Sequence, residues 1–252
     1  MRPPLPPQSK STTQSASNQD ALYGSSYFDE QLHRQHWFHN NAAKRELRWK
    51  EVVRMLEPNT QDRILEIGCA TGEHSLRLAT LVREVVGVDL APAAIARARE
   101  RAETAGASNV RFVVLDAADL SGIEDTTFDK VAAIDFVEHI DDPTLLSVLR
   151  ETRRVLRPRG LFAIFTPCES HYVERMKAGN FVLHQTLGHI AVRGELRYRN
   201  LLQQSGFDIV SLHFSPSTYP LAGWLDRWLW NVPLIGPLFR FRLCIAARPA
   251  ST

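Results

Sequence analysis

The chain has 252 residues, 44% of them hydrophobic, which suits the buried core of one α/β domain with additions. A formal net charge of +2 lacks the basic excess of a nucleic-acid-binding surface, so nucleic acid is not an expected partner. Cys69, Cys168 and Cys244 are too few and too widely spaced for a zinc site or a disulfide framework, which points to a reducing, cytoplasmic setting with no metal expected.

Residues 1–20 are rich in Pro, Ser, Thr and Gln and nearly devoid of apolar side chains. Such a segment cannot bury enough surface to offset its ordering entropy, so a disordered tail is expected, with neither a signal peptide nor a transit helix. Residues 21–58 read as an N-terminal helical lid. The pairs Tyr27-Phe28 and Trp37-Phe38 lead into a helix over 42–56, where Leu47, Val52, Val53 and Leu56, with Trp49, share one face and Pro58 stops the run. His33, His36 and His39 have no metal-ligand spacing and are expected at the surface.

Residues 59–167 alternate strands with helices, the pattern of a parallel sheet covered on both faces. Arg63 to Ile67 is an apolar strand carrying Glu66 near its end. Gly68-Cys69-Ala70-Thr71-Gly72 is a turn, and a helix follows over 73–82. Glycines at both ends of the turn allow φ > 0 and close approach of a ligand to the backbone. A second strand ends in Asp89, 23 positions after Glu66 and close to the ~20-residue offset at which an acid takes a ribose hydroxyl pair. A nucleoside-containing ligand follows. A dinucleotide fingerprint would place glycines where Ala70 and Glu73 stand, and the Glu73 carboxylate would repel a pyrophosphate; a P-loop would need a Lys-Ser or Lys-Thr after the turn. Cys69 has no adjacent cation to activate it and reads as a small loop residue rather than a nucleophile.

The next helix, over 93–105, is opened by Pro92 and closed by Gly106. Strands follow over 110–115, leading to Asp116-Ala117, and over 128–135, ending in Asp135. Then come Val137-Glu138-His139-Ile140-Asp141-Asp142-Pro143, a helix from Pro143 to Leu156, a turn, and a fifth strand ending near Pro167. His139 lies just beyond the fourth strand's carboxyl end. A neutral imidazole, with an unperturbed pKa of about 6.5, can accept a proton at physiological pH, so His139 is the expected general base. Glu138 beside it either raises that pKa or points to solvent.

Residues 168–193 break the strand–helix rhythm and carry His171, Tyr172, Arg175, His184 and His189, as a substrate cap would. Residues 194–252 read as the C-terminal part of the core, with a helix over 194–205 and strands over 207–214 and 242–247. Between these strands lies an insertion over 219–239. Leu221, Trp224, Leu225, Trp228 and Leu229 fall on one helical face, while Asp226, Arg227, Pro233 and Pro237 exclude a spanning helix. Two readings stand open for it: packing on the domain or on a homodimer partner, or peripheral membrane contact.

Glu66-Ile67-Gly68-Cys69-Ala70-Thr71-Gly72 fits the pattern acid-x-Gly-x-x-x-Gly, and five ordered matches run from Arg63 to Pro167. Through these residues the chain resembles the class I S-adenosylmethionine-dependent methyltransferases. Val137 to Pro143 is similar to the ubiquinone-pathway and natural-product subgroup. The resemblance implies a doubly wound, mostly parallel α/β sheet of seven strands with the final strand inserted antiparallel, an N-terminal helical lid, and a cap after the fifth strand. It implies S-adenosylmethionine as methyl donor, a sulfonium cation without phosphate that suits an acidic site. The residues implied around it are Glu66, Gly68, Cys69, Ala70, Gly72, Asp89, Leu90, Asp116, Ala117 and Asp135. Asp116 would face the adenine amino group, the Ala117 N–H the ring, and Asp135 would act through its backbone carbonyl. The arginine that some relatives carry after the aromatic pair is replaced by His39-Asn40-Asn41, so the contact to the cofactor carboxylate has no residue there. The expected reaction is methyl transfer to an oxygen or nitrogen of a small-molecule acceptor, lipid-like, quinone or natural product. The alternatives are an aminopropyl-transfer relative and a non-catalytic, membrane-associated binding module that keeps the fold.

Overall fold

The structure is a computed structural model describing residues 42–179, 189–217 and 220–250. The tail over 1–20, both aromatic pairs, His33, His36, His39 and His184 lie outside the described residues. The elements that frame the sheet are β1 (Arg63–Ile67), α2 (Glu73–Ala79), β2 (Glu84–Asp89), α3 (Pro92–Thr104), β3 (Val110–Val114) and β4 (Phe128–Ile134), preceded by α1 (Ala42–Leu56). After β4 come a 3₁₀ turn (Val137–His139), α4 (Asp142–Val155), β5 (Leu156–Pro167), α5 (Tyr172–Ala178), α6 (Glu195–Gln204), β6 (Phe207–Ser215), α7 (Pro220–Leu229) and β7 (Arg242–Pro249).

Seven strands form one sheet in the order β3-β2-β1-β4-β5-β7-β6. The first five are parallel, and β7 runs antiparallel between β5 and β6. The central strands are apolar throughout because both faces of the sheet are covered. Leu65, Ile67, Val131 and Ala133 join Leu145, Val148 and Leu149 of α4 and Tyr198 and Leu201 of α6 on one side. Ile64, Ala132 and Ile134 meet Val52 and Leu56 of α1, Leu78 of α2 and Ile95 and Ala98 of α3 on the other. This is the doubly wound α/β architecture expected, with the last strand inserted as the resemblance implied.

Local boundaries differ for physical reasons. The helix after the glycine turn ends at Ala79 rather than near residue 82, with the Thr80 hydroxyl bonding back to the Arg77 carbonyl. The fourth helix starts one residue early because the Asp141 carboxylate accepts the Thr144 N–H at 2.9 Å and caps it. β5 begins at Leu156, opposite Phe128. Residues 157–160 then bulge out before Leu161 pairs with Lys130, and Arg159 takes φ +66 in the bulge.

The topology gathers the chain's polar loops along one edge. β1 leads toward β2 and β3 on one side and β4 and β5 lie on the other, so the β1/β4 boundary is the switch point where α/β sheets bind ligands. Pro167 of β5 pairs with Arg242 of β7, which pairs with Ser215 of β6. The segment between β6 and β7 therefore rises from that same edge.

Candidate active site

The turn after β1 is built from three left-handed residues, Gly68 (φ +68), Ala70 (φ +45) and Gly72 (φ +75). At Gly68 a Cβ would overlap the Phe136 ring, and at Gly72 it would overlap the Phe112 ring. Glycine is thus required twice over, by φ and by space. The Phe136 neighbour was not foreseen, since the sequence reading left that space to a ligand. Cys69 is buried with its sulfur packed among the core residues beside Gly87, and burial holds its thiol well above the usual range. Its backbone N–H donates to the Val88 carbonyl at 3.0 Å and its Sγ to the Ala70 carbonyl at 3.8 Å.

Asp89, at the end of β2, reaches across this turn. Its Oδ2 accepts the Ala70 N–H at 2.8 Å and its Oδ1 the Ala91 N–H at 2.9 Å. A carboxylate has about four lone-pair sites, and the Leu90 N–H is a third backbone donor to this one, so the turn holds the carboxylate firmly in place. Burial raises the Asp89 pKa, against the pull of the Ala91 and Ala70 hydrogen bonds and the nearby His139. Leu90 follows, half-buried. Asp116, after β3, spends Oδ1 on the Ala118 N–H at 2.8 Å, a local turn bond, while Ala117 is buried behind it.

Glu66 is buried beneath the turn and accepts the Ser75 hydroxyl of α2. Desolvation pushes its pKa up to about 8 despite that hydrogen bond. Asp135, after β4, takes φ +48. Its side chain has a structural task that the backbone-only reading left out. Oδ2 pairs with Arg48 of α1 at 3.1 Å and Oδ1 with Arg242 of β7 at 3.0 Å. Burial opposes ionisation, but Arg48 and Arg242 outweigh it and hold the carboxyl below its usual range.

His139 ends the 3₁₀ turn after β4, its N–H bonded to the Phe136 carbonyl at 3.0 Å. Buried Arg193 clamps this turn, donating to the carbonyls of Val137 and Ile140, each at 2.7 Å, and to Asp142 at 2.6 Å. The N–H groups of Ile190 and Ala191 both donate to the Glu138 carbonyl at 3.1 Å. Together these bonds bring His189 edge-on to His139, with ring centroids 4.9 Å apart. Burial, then the His139 charge, lowers the His189 pKa to about 4, so its imidazole stays neutral. Glu138 does not point to solvent. It is fully buried, its Oε2 accepts the Thr166 hydroxyl at 3.1 Å, and its Oε1 has no hydrogen-bond partner among the described residues. Desolvation, reinforced by Asp135, raises its pKa to about 8. Glu138, His139 and His189 bring one ligand atom each within 4.8 Å of one another, a donor set able to approach a cation.

Sequence reasoning thus missed Arg48, Arg193, Arg242 and the approach of His189 to His139. His39-Asn40-Asn41 stand in place of the arginine after the aromatic pair, outside the described residues, yet the Arg48 guanidinium reaches the sheet edge from α1.

The buried carboxyls set a pH dependence. Glu66 and Glu138 hold their protons to about 8, whereas in the unfolded chain they release them near the ordinary glutamate value. Their contribution is full below the unfolded pKa and is lost as pH rises through about 8. His74 and His189, lowered to about 4, act in the opposite sense below the usual histidine range. Between about pH 6.5 and 8 the carboxyls dominate, each lowering stability by up to about 1.4 kcal/mol per pH unit. The unfolding midpoint should fall across this window, and Glu138→Gln should flatten the fall. A rising midpoint in the wild type would contradict these protonation states.

The glycine turn, the acid at the end of β2 and the sheet order are those that the resemblance to class I S-adenosylmethionine-dependent methyltransferases implied. Residues 64–160 match the family described as Methyltransferase domain. The chain is 34% identical over 150 residues to 27-O-demethylrifamycin SV methyltransferase of Amycolatopsis mediterranei, covering 58% of this chain and 52% of that protein. It is 32% identical over 120 residues to the ubiquinone biosynthesis O-methyltransferase of Xanthomonas axonopodis pv. citri, covering 48% of each. The chain spans about half the length of these curated relatives. Among solved structures, geranyl diphosphate C-methyltransferase from Streptomyces coelicolor, in complex with Mg²⁺, geranyl diphosphate and S-adenosyl-L-homocysteine, superposes with a TM-score of 0.61 at 16% identity. That match covers 82% of this chain and 79% of that one, and it speaks for the fold.

Proposed function

We propose that this protein transfers the methyl group of S-adenosylmethionine to an oxygen or nitrogen of a small, lipid-like or quinone-like acceptor in the cytoplasm. One observation carries the reading: the Asp89 carboxylate is fixed across a left-handed turn by backbone N–H groups, at the end of the second strand of a βαβ unit, where an acid takes the two hydroxyls of a ribose. The surroundings fit the group as well. Asp89 and Glu73 flank the turn with carboxylates, which favours a sulfonium and disfavours a phosphate.

When bound, S-adenosylmethionine supplies an electrophilic methyl on a good leaving group. The chain's own residues then have distinct tasks. Asp89 holds the ribose diol, Asp116 and Ala117 border the adenine, and the 68–72 turn passes the methionine portion. Arg48, held by its ion pair with the Asp135 carboxylate, receives the cofactor carboxylate. His139 takes the acceptor proton, and residues 168–193 cover the site and exclude water, so that positioning supplies much of the rate.

Calorimetry with S-adenosylhomocysteine tests this. One site per chain is expected, and Asp89→Ala should weaken binding at least tenfold, since each charge-assisted hydrogen bond contributes about 1.5–3 kcal/mol. No binding by the wild type, or equal affinity for the variant, would overturn the assignment. Competition between intact and decarboxylated S-adenosylmethionine separates methyl from aminopropyl transfer.

A further inference from the structure

We propose that α7 and the turn after it form a docking face for an anionic lipid surface, placed at the mouth of the active site. The sequence pattern puts Leu221, Trp224, Leu225 and Trp228 on one helical face, and an ordinary amphipathic helix would bury that face against the domain. The structure does the reverse. The side chain tucked inward is Asp226, 0% exposed, whose Oδ2 accepts the Ser217 N–H at 2.7 Å and whose Oδ1 lies 3.3 Å from Nε2 of buried His171. The helix is moored by its polar residue and turns its apolar stripe outward. Leu221 is 82% exposed and Trp228 69%, with the Trp224 and Trp228 rings tilted together, centroids 5.9 Å apart. The stripe continues through Val232, Leu234 and Ile235. Leu234 is 98% exposed on a left-handed backbone (φ +68), an apolar side chain held out at the tip of a tight turn.

Three observations select a lipid surface over a second copy of the chain. Charge is the first. Asp226 is the sole acid between residues 220 and 250 and it is buried, whereas Arg227 on α7 is exposed, so this segment offers a cation and no exposed carboxylate of its own. An isologous dimer would set this arginine against its own copy, while anionic headgroups complement it. The second is residue type. Paired tryptophans beside leucine and arginine suit an interface where one end of a ring is apolar and the other wet. The third is depth. α7 has ten residues and no described helix is long and apolar enough to cross a membrane, which fits a helix lying in the interface plane.

Position ties the face to the chemistry. His171 caps α5 just past the end of β5, and Arg242, where the segment re-enters the sheet, pairs with Asp135. A lipid-like acceptor could thus pass from the bilayer to His139 without crossing bulk water. That delivery rests on the methyl-transfer reading, whereas the docking itself does not.

Flotation with vesicles of phosphatidylcholine alone and of phosphatidylcholine mixed with phosphatidylglycerol tests the proposal on the full chain. Wild type should float with the mixed vesicles and much less with the neutral ones. Trp224→Ser/Trp228→Ser should reduce flotation about tenfold or more, the loss expected for two exposed aromatic anchors. Arg227→Glu should reduce it on the mixed vesicles only. S-adenosylhomocysteine affinity should be unchanged in all variants, which shows that they are folded and keeps this test separate from that of the methyl-transfer reading. Wild type remaining soluble with both vesicle types, or equal flotation of the double tryptophan variant, would overturn the proposal. So would a concentration-dependent dimer, abolished by the same two substitutions, in a protein that does not float.

Discussion

Gly68→Val is expected to abolish detectable S-adenosylhomocysteine binding and to lower stability by about 2–5 kcal/mol, the combined cost of a left-handed β-branched residue and an overpacked contact. Gly68 sits at φ +68, and a Cβ there would overlap the Phe136 ring. The ring cannot retreat freely, because Phe136 opens the turn that carries His139 and packs against the core. The strain would therefore spread from the cofactor loop to the catalytic turn. Phe136→Ala added to Gly68→Val separates the two causes. Space returns but φ does not change, so stability should recover in part and affinity should remain poor. Calorimetry and thermal unfolding on the single and double variants read both effects. Wild-type affinity in Gly68→Val would mean that the turn is not the cofactor's cradle.

The features legible in the sequence are those set by local rules. Glu66, the glycine turn and Asp89 belong to one βαβ unit, where a strand, a tight turn and a helix N-terminus leave a strong pattern within about 25 residues. The order of apolar strands and amphipathic helices likewise defined the doubly wound sheet. Pairings between distant segments left no such trace. Arg242 is 107 positions from the Asp135 it pairs with, and nothing in either neighbourhood signals the other. Arg193 resembles any surface arginine until residues 189–193 fold onto the 3₁₀ turn 53 to 56 positions earlier. The same limit applies to α7. Periodicity finds its apolar face, but only the mooring of Asp226 to His171 and Ser217 decides that this face turns outward.

Replacing His139 by alanine should cut turnover by about 10²–10⁴-fold, the usual contribution of a general base, while leaving S-adenosylhomocysteine affinity nearly intact. The imidazole stands on a turn fixed from two sides. The Phe136 carbonyl holds its own N–H, and Arg193 holds the carbonyls of Val137 and Ile140. A group so placed loses little freedom on reaching the transition state, which is what makes a base effective. Glu138 is a poor candidate for the task, since burial keeps its carboxyl protonated to about 8 and its one hydrogen bond comes from Thr166. His189 is the more serious rival, because its ring lies 4.9 Å from that of His139. Yet its pKa of about 4 makes it a weak base at neutral pH. His189→Ala should accordingly lower turnover less than His139→Ala, through loss of orientation alone. Single-turnover transfer from methyl-labelled S-adenosylmethionine into a lipid extract of the source cells compares them. Unchanged turnover in His139→Ala would make this histidine structural, leaving positioning by Asp89, Arg48 and the cap to carry the reaction.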